Sequence, residues 1–463
     1  MSTHKGSETF AQTREAYSAS TPGRERLGML FDPDTFVELG SFSSVEEEPC
    51  GVICGYGEVN GSLVCAFAQD GGGMGKIQAA KISRLYDLAL KTGVPVVGFY
   101  DSIGARVAEG AAALEAYGEL LLRINNLSGV VPQIAVVLGG CTGVSAMLAC
   151  SADFVVMDKN AVFFMTPPAL TEDKVDQAGS ADNAAKAGVA HVVAETAPEA
   201  CDCVSKLLSY LPANNLAMAC ALDFTAPENE LVSGNYEDAE PAALAASILD
   251  SGSLVEMLGD FGKGAYTALG TLGGVPVGVV GTKGKLSADG CAKLAKMVSV
   301  CDSFQVPVIT LVNADGIEPS AKAELSGSIR EIAKLGHVYA EATTPKMAVI
   351  TGKAYGAAYV ALASRAVNSD YTAAWPEAVI SALEPQAAVA FLHADEISAQ
   401  RSREAVLQDY LEQVASPLAI AKAGYLDDVI EPGQTRAALL SAMEILSAKR
   451  VQKHPKKHGN IPM

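Results

Sequence analysis

The segment VPQIAVVLGGCTGVSA (131–146) returns 213 residues later as TPKMAVITGKAYGAAY (344–359). Each copy opens on a proline, runs through apolar and β-branched residues, turns at glycine and ends in small residues suited to the start of a helix. Apolar runs without alternation read as strands covered on both faces. Two further blocks repeat in the same order. GYGEVNG (55–61) returns as ALGTLGG (268–274) at an offset of 213, and TGVPVVGFYDSIG (92–104) as FQVPVITLVNADG (304–316) at 212. Three blocks in the same order at a nearly constant offset mark a duplicated fold with halves of about 220 residues.

Within each half the pattern predicts a hairpin, a helix, a strand after Val-Pro, a second helix, and another strand after proline. In the first half the helix is expected over Gln78–Lys91 and the strand over Val94–Tyr100. The predicted fold class is therefore α/β in two tandem domains, 1–225 and 226–463, with the linker inside 214–240. The uncharged stretch Asn125–Ala152 is long enough to suggest a membrane span. Pro132, Gly139, Gly140 and Gly143 interrupt it, so it reads as a buried strand, turn and helix.

Composition narrows the function. With 34 Lys and Arg against 53 Asp and Glu the net charge is −19, which repels phosphate backbones and argues against nucleic-acid binding. The ten cysteines lack metal-ligand spacing and the six histidines are scattered. Reduced, mostly buried thiols are expected, with no metal site. The polar N-terminus has no signal-peptide character, and a cytoplasmic location is expected.

Most chemical motifs fail on inspection. GGGMGK (71–76) resembles a phosphate loop, but Asp70 stands where the first glycine belongs and Ile77 where a magnesium-binding hydroxyl belongs. Gly55–Gly61 lacks dinucleotide-binding spacing, and Gly270–Gly274 reads as a hairpin turn. No Gly-x-Ser-x-Gly occurs. What remains is the turn shared by both halves. Small residues there let a ligand approach the backbone, and the first N–H groups of a helix lack intrahelical acceptors. Such donors suit a developing oxyanion. Tight helix–sheet packing explains one copy equally well, but two copies favour two oxyanion holes.

Several stretches carry a family resemblance: GRERL and LFDPDTFVE within 23–38, DSIGARVAEG (101–110), GVAH (188–191), YAEATTPKMAVITGKAYGAAY (339–359), AWP (374–376) and KKHGNIP (456–462). Over Thr21–Met463 the chain resembles the carboxyltransferase subunit of biotin-dependent acyl-CoA carboxylases and decarboxylases. The resemblance is to the propionyl-CoA carboxylase β-chain and methylmalonyl-CoA decarboxylase α-chain types. The resemblance implies two crotonase-like domains of the ClpP/crotonase superfamily. It also implies a homo-oligomer, dimer or hexamer, whose active site lies between one subunit's first half and another's second.

The implied substrates are an acyl-CoA and biotin borne on a separate biotin carboxyl carrier protein. The remaining partners would be a biotin carboxylase subunit or the membrane subunits of a sodium-pumping decarboxylase. In this family carboxybiotin yields CO2 and biotin's ring nitrogen moves the α-proton, so the protein mainly positions and stabilises oxyanions. Carried over by position, Gly143 and Val144 would hold the thioester oxygen, and Ala357 and Ala358 the biotin ureido oxygen. Gly356, Tyr359, Val360, Gly104 and Ala105 would line the substrate site, while Arg24, Arg26, Lys76 and Lys81 are candidates for CoA phosphates.

The chain departs from the family at Val360, where propionyl-type enzymes commonly carry Asp, and in the loop Asn313–Ser320. Further departures fall at Arg330–Lys334 and Leu383–Ala388. These keep a non-catalytic CoA-binding scaffold as the alternative. A hydratase would want paired glutamates near the turns, and Glu109 is the one candidate.

Overall fold

In the computed structural model, which describes residues 2–462 apart from 174, 233, 237, 368 and 452, the chain divides into two compact units, up to Met218 and from Ala219 onward. The described residues between 211 and 240 form no helix or strand, and the division falls in this segment a few residues before the one expected. Ser233 and Glu237 of the expected linker lie outside the described residues.

The first unit is built on a hairpin of β1 (Val52–Val59) and β2 (Ser62–Gln69). It turns at Asn60-Gly61, whose φ of 51° and 74° an Asn-Gly pair adopts readily. Then follow α1 (Lys76–Thr92), β3 (Val96–Ser102), α2 (Ala111–Leu127), β4 (Gln133–Thr142), α3 (Val144–Cys150), β5 (Phe154–Asp158) and β6 (Val162–Phe164). From β2 to β5 the strands pair in parallel in chain order. Such a sheet is buried on both faces, so β3 carries Val96, Val97, Phe99 and Tyr100, all buried. Helix α1 lays Ile82, Leu85, Tyr86 and Ala89 on this sheet. Full burial of such a side chain contributes about 1.5–3 kcal/mol.

The second unit repeats the design with β7 (Ala265–Leu272), β8 (Val275–Thr282), α4 (Ala288–Ser303), β9 (Val308–Ile317), α5 (Ile329–Glu341), β10 (Lys346–Tyr355), α6 (Gly356–Leu362), β11 (Tyr371–Ala374) and β12 (Val379–Ser381). The hairpin β7–β8 is antiparallel, and β8, β9, β10 and β11 run parallel. Even the hairpin caps correspond. Asp32 accepts the N–H groups of Asn60 and Gly61 (3.2 and 2.8 Å), and Asp250 those of Gly273 and Gly274 (3.0 and 2.8 Å).

One feature of both sheets positions the site. Strand β4 changes partner along its length: residues 134–137 pair with β5, and 140–142 with β6. Strand β10 does the same, 347–350 with β11 and 353–355 with β12. The sheet thus splits just before the strand ends, and each split strand runs into the glycine turn found in the sequence.

The uncharged stretch runs from the end of α2 through β4, Gly143 and α3, and no described helix is long and apolar enough to cross a membrane. The ten cysteines are free thiols, most of them buried.

Candidate active site

In the first unit β4 ends at Thr142, Gly143 turns the chain at φ 59° and ψ −133°, and α3 begins at Val144. The second unit places Gly356 at φ 52° between β10 and the body of α6. Both glycines have positive φ, where a β-carbon is strained. They are 213 residues apart, so Gly143 corresponds to Gly356 and Val144 to Ala357.

This register bears on the first donor pair. The N–H of Gly143 donates to the carbonyl of Phe164 (3.0 Å), which continues the β4–β6 ladder. It is therefore engaged within the sheet. The residues equivalent in position to Ala357 and Ala358, the second and third residues of α6, are Val144 and Ser145, the first two residues of α3. At such positions no carbonyl lies four residues back within the helix.

The side chain of Ser145 is fixed from below. Its Oγ shares a 2.7 Å hydrogen bond with the buried Tyr117 hydroxyl of α2, whose pKa burial pushes up and the Ser145 bond pulls back. The phenol therefore stays protonated.

Gly104 and Ala105 stand beside the first turn. Gly104 has φ 99°, and a Cβ there would lie 3.5 Å from the Thr142 carbonyl. Both residues are anchored to the 71–75 loop. Met74 donates to the Gly104 carbonyl (2.8 Å), and Ala105 bridges Met74 in parallel. Gly316, at φ 90°, repeats this placement against Tyr355 in the second unit, a residue the sequence reading passed over. There Lys353 and Asp315 form an ion pair at 3.5 Å. On α6, Tyr359 is half-buried, and burial raises its pKa. Val360 is 54% exposed.

Three of the four expected CoA-binding cations are partnered inside the first unit. Arg24 pairs with Glu38 (2.7 Å) and Arg26 with Asp101 (2.7 Å). Lys81 reaches Glu38 (3.4 Å) and the Val52 carbonyl (2.8 Å), with its side chain 7% exposed. Lys76 is exposed at the start of α1. The helix start that resembled a phosphate loop holds an internal carboxylate instead. Glu109 accepts the Lys76 N–H at 2.7 Å, and a Cβ on Gly75 would fall 2.0 Å from its Oε1. Glu109 thus supplies the anion that the first turn of a helix attracts. Among the described residues no group of three or more His, Cys, Asp or Glu is placed to hold a metal ion.

The carboxyl transferase domain model matches residues 20–461. The carboxyltransferase subunit of propionyl-CoA carboxylase from Haloferax mediterranei is 36% identical over 480 residues, covering 95% of this chain and 93% of that one. The alpha subunit of methylmalonyl-CoA decarboxylase from Veillonella parvula is 35% identical over 499 residues, covering 99% and 96%. The crystal structure of transcarboxylase 12S, described as a hexamer with methylmalonyl-CoA and methylmalonic acid bound, superposes with a TM-score of 0.91 at 32% identity, covering 99% of each chain. The tandem α/β units are therefore crotonase-like. The chain belongs to the carboxyl transferase family, in its branch of biotin-dependent acyl-CoA carboxyltransferases.

Proposed function

We propose that the chain transfers a carboxyl group between biotin on a separate carrier protein and an acyl-CoA. The observation that carries this reading is the duplicated turn: a split strand, a positive-φ glycine and a fresh helix start, once in each unit. Val144 and Ser145 donate to the thioester oxygen of the acyl-CoA, and Ala357 and Ala358 to the ureido oxygen of biotin. The second turn fits a planar urea, since Gly356, Ala357 and Ala358 present nothing larger than a methyl group. Biotin supplies the carboxyl group and the base when bound. The chain supplies orientation and two sets of fixed dipoles, each donor worth about 2.7–4 kcal/mol in a transition state.

Relatives of both kinds, a carboxylase subunit and a decarboxylase subunit, stand at almost equal similarity, 36% and 35%. The direction of transfer is therefore set by the proteins beside which the chain works. These are a biotin carboxylase with its carrier, or the membrane subunits of a decarboxylase. The hexamer described for transcarboxylase 12S supports a homo-oligomer in which the first turn of one copy meets the second turn of another. Ten free thiols favour a reducing compartment, the cytoplasm. A second reading, a CoA-binding scaffold without turnover, is motivated by Val144 at the first turn and by the altered loop Asn313–Ser320.

The test is a biotin-dependent decarboxylation assay with malonyl-, methylmalonyl- and glutaconyl-CoA, free biotin and mass detection of the products. Turnover that requires biotin establishes transfer and names the acyl group. CoA-ester binding without turnover, both with free biotin and with a biotinylated carrier protein, supports the scaffold.

A further inference from the structure

Three residues before each turn glycine the strands carry a second duplicated device. Between β3 and β4 the register jumps from Tyr100↔Val137 to Ser102↔Cys141, and between β9 and β10 from Val312↔Ile350 to Ala314↔Ala354. One strand advances by two residues while its partner advances by four. The slack is taken up at Leu138–Gly140 and at Thr351–Lys353.

In each case one side chain from the shorter strand fills the bulge. A Cβ on Gly139 would lie 2.6–2.7 Å from the carboxylate atoms of Asp101, and a Cβ on Gly352 2.5–2.6 Å from the nearest atoms of the Asn313 amide. The Asp101 Oδ1 accepts the Gly140 N–H (3.1 Å), and the Asn313 Oδ1 accepts the Lys353 N–H (3.0 Å). The braces are themselves held alike. The Asp101 N–H donates to Gln69 Oε1 (3.1 Å) and the Asn313 N–H to Thr282 Oγ1 (3.1 Å).

We propose that Asp101 and Asn313 are positioning residues, each fixing the course of the split strand into its turn and so the direction of the helix-start N–H groups. This rests on the proposed function for what those donors do, but not for the brace itself. The two halves differ in one respect. Asn313 shows that a neutral acceptor suffices to hold the bulge. Asp101 adds a charge, and Arg26 answers it: Nη2 lies 2.7 Å from Oδ2, Nη1 donates to the Gln69 carbonyl at 3.0 Å, and the two side chains are 12% and 18% exposed. The pair ties the helix Pro22–Leu30, which carries Arg26, to the strand that sets the first turn. Arg26 is thus a member of the brace in place of a ligand for CoA phosphate.

The experiment compares Asp101→Ala, Asp101→Asn, Asp101→Asn with Arg26→Gln, and Asn313→Ala in the full-length protein. The readouts are amide exchange by mass spectrometry, CoA-ester affinity and biotin-dependent turnover. Asp101→Ala should speed exchange in 138–147 about tenfold or more and leave 346–358 unchanged, and Asn313→Ala should do the reverse. Turnover should fall about tenfold to a hundredfold in Asp101→Ala while the CoA-ester Kd stays within about threefold, as misdirected donors predict. Asp101→Asn should lose turnover because Arg26 is left without its counter-charge, and the double variant, which copies the neutral second half, should recover most of it.

Unchanged exchange in Asp101→Ala overturns the brace. Should that variant not fold, equal activity of Asp101→Asn and the double variant overturns the charge pairing. A wild-type protein without biotin-dependent turnover overturns the proposed function instead, and the exchange data still decide the brace.

Discussion

Replacing Gly143 by alanine separates the backbone geometry of the first turn from everything around it. The residue sits at φ 59° and ψ −133°, and space is no obstacle, because a Cβ there would meet nothing nearer than the Met165 carbonyl at 4.0 Å. The cost is therefore conformational, about 1–3 kcal/mol for a non-glycine residue held in such a region. Flipping the 143–144 peptide carries ψ to the left-handed value that other residues tolerate, at the expense of the bonds that the Gly143 carbonyl accepts from Ala146 and Met147 (3.1 and 3.3 Å), each worth about 1 kcal/mol net. That rotation turns the Val144 N–H away from the site.

Losing one oxyanion donor costs about 2.7–4 kcal/mol in the transition state, so kcat for decarboxylation should fall about 10²–10³-fold, with the CoA-ester Kd nearly unchanged. Steady-state turnover, calorimetric binding and a thermal melt on the same variant test this. A kcat within about threefold of wild type would refute the rotation argument. A loss of affinity equal to the loss of kcat would refute the oxyanion role, since the turn would then bind substrate and transition state alike. Gly356→Ala should cost more stability, because its Cβ would stand 3.2 Å from the Ala382 carbonyl.

Glu109→Gln should lower stability by about 1 kcal/mol through its weakened cap on α1, and leave turnover within about threefold, where a hydratase acid–base residue would lose 10²–10⁴. Arg436→Ala should cost about 3 kcal/mol at pH 7, because it strips the 2.6 Å partner from Asp250, whose side chain is 1% exposed. Burial pushes the Asp250 pKa up, but bonds from Gly274, Arg436, Thr271 and Gly273 outweigh it and hold it below the ordinary value. The stabilisation is present above the unfolded pKa and is lost as pH falls, so the penalty of the variant should shrink in acid melts. Burial pushes Lys293 and Lys346 down to about 8. Between pH 8 and 9 the unfolded chain keeps protons these lysines have lost, so stability should rise by at most about 1.4 kcal/mol per unit per group. Above pH 9 the trend should reverse. Burial raises the thiols of Cys65 and Cys201 to about 11 and of Cys291 and Cys301 to about 12, so only the unfolded chain ionises them. A Tm maximum near pH 9, whose rising limb flattens in Lys293→Met with Lys346→Met, checks both signs.

The duplication was legible because apolar strands and glycine turns leave a pattern that survives divergence, and the α/β class in two tandem domains followed from it, while the crotonase-like architecture came from the resemblance of the quoted stretches. The contents of the site were less legible, for a geometric reason. Whether Arg26 or Lys81 faces a ligand depends on Asp101 and Glu38, which lie 75 and 43 residues away in the chain. The start of α1 depends on Glu109, 33 residues beyond it, so a reading anchored on the apolar stripe began the helix at Gln78, two residues late. Gly143-Val144 and Ala357-Ala358 look alike as small-residue pairs, although the repeat offset aligns Gly143 with Gly356. The brace was the hardest to see. Gln69 and Thr282, Asp101 and Asn313, Gly140 and Lys353 occupy equivalent places, yet each pair changes residue type. What the halves share there is one acceptor oxygen per side chain and one backbone N–H, and a comparison of side-chain classes passes over both. A duplicated chain is therefore better aligned by the atom each residue places than by its hydropathy. In this protein that alignment leads from the split strand to the two turns that the proposed chemistry requires.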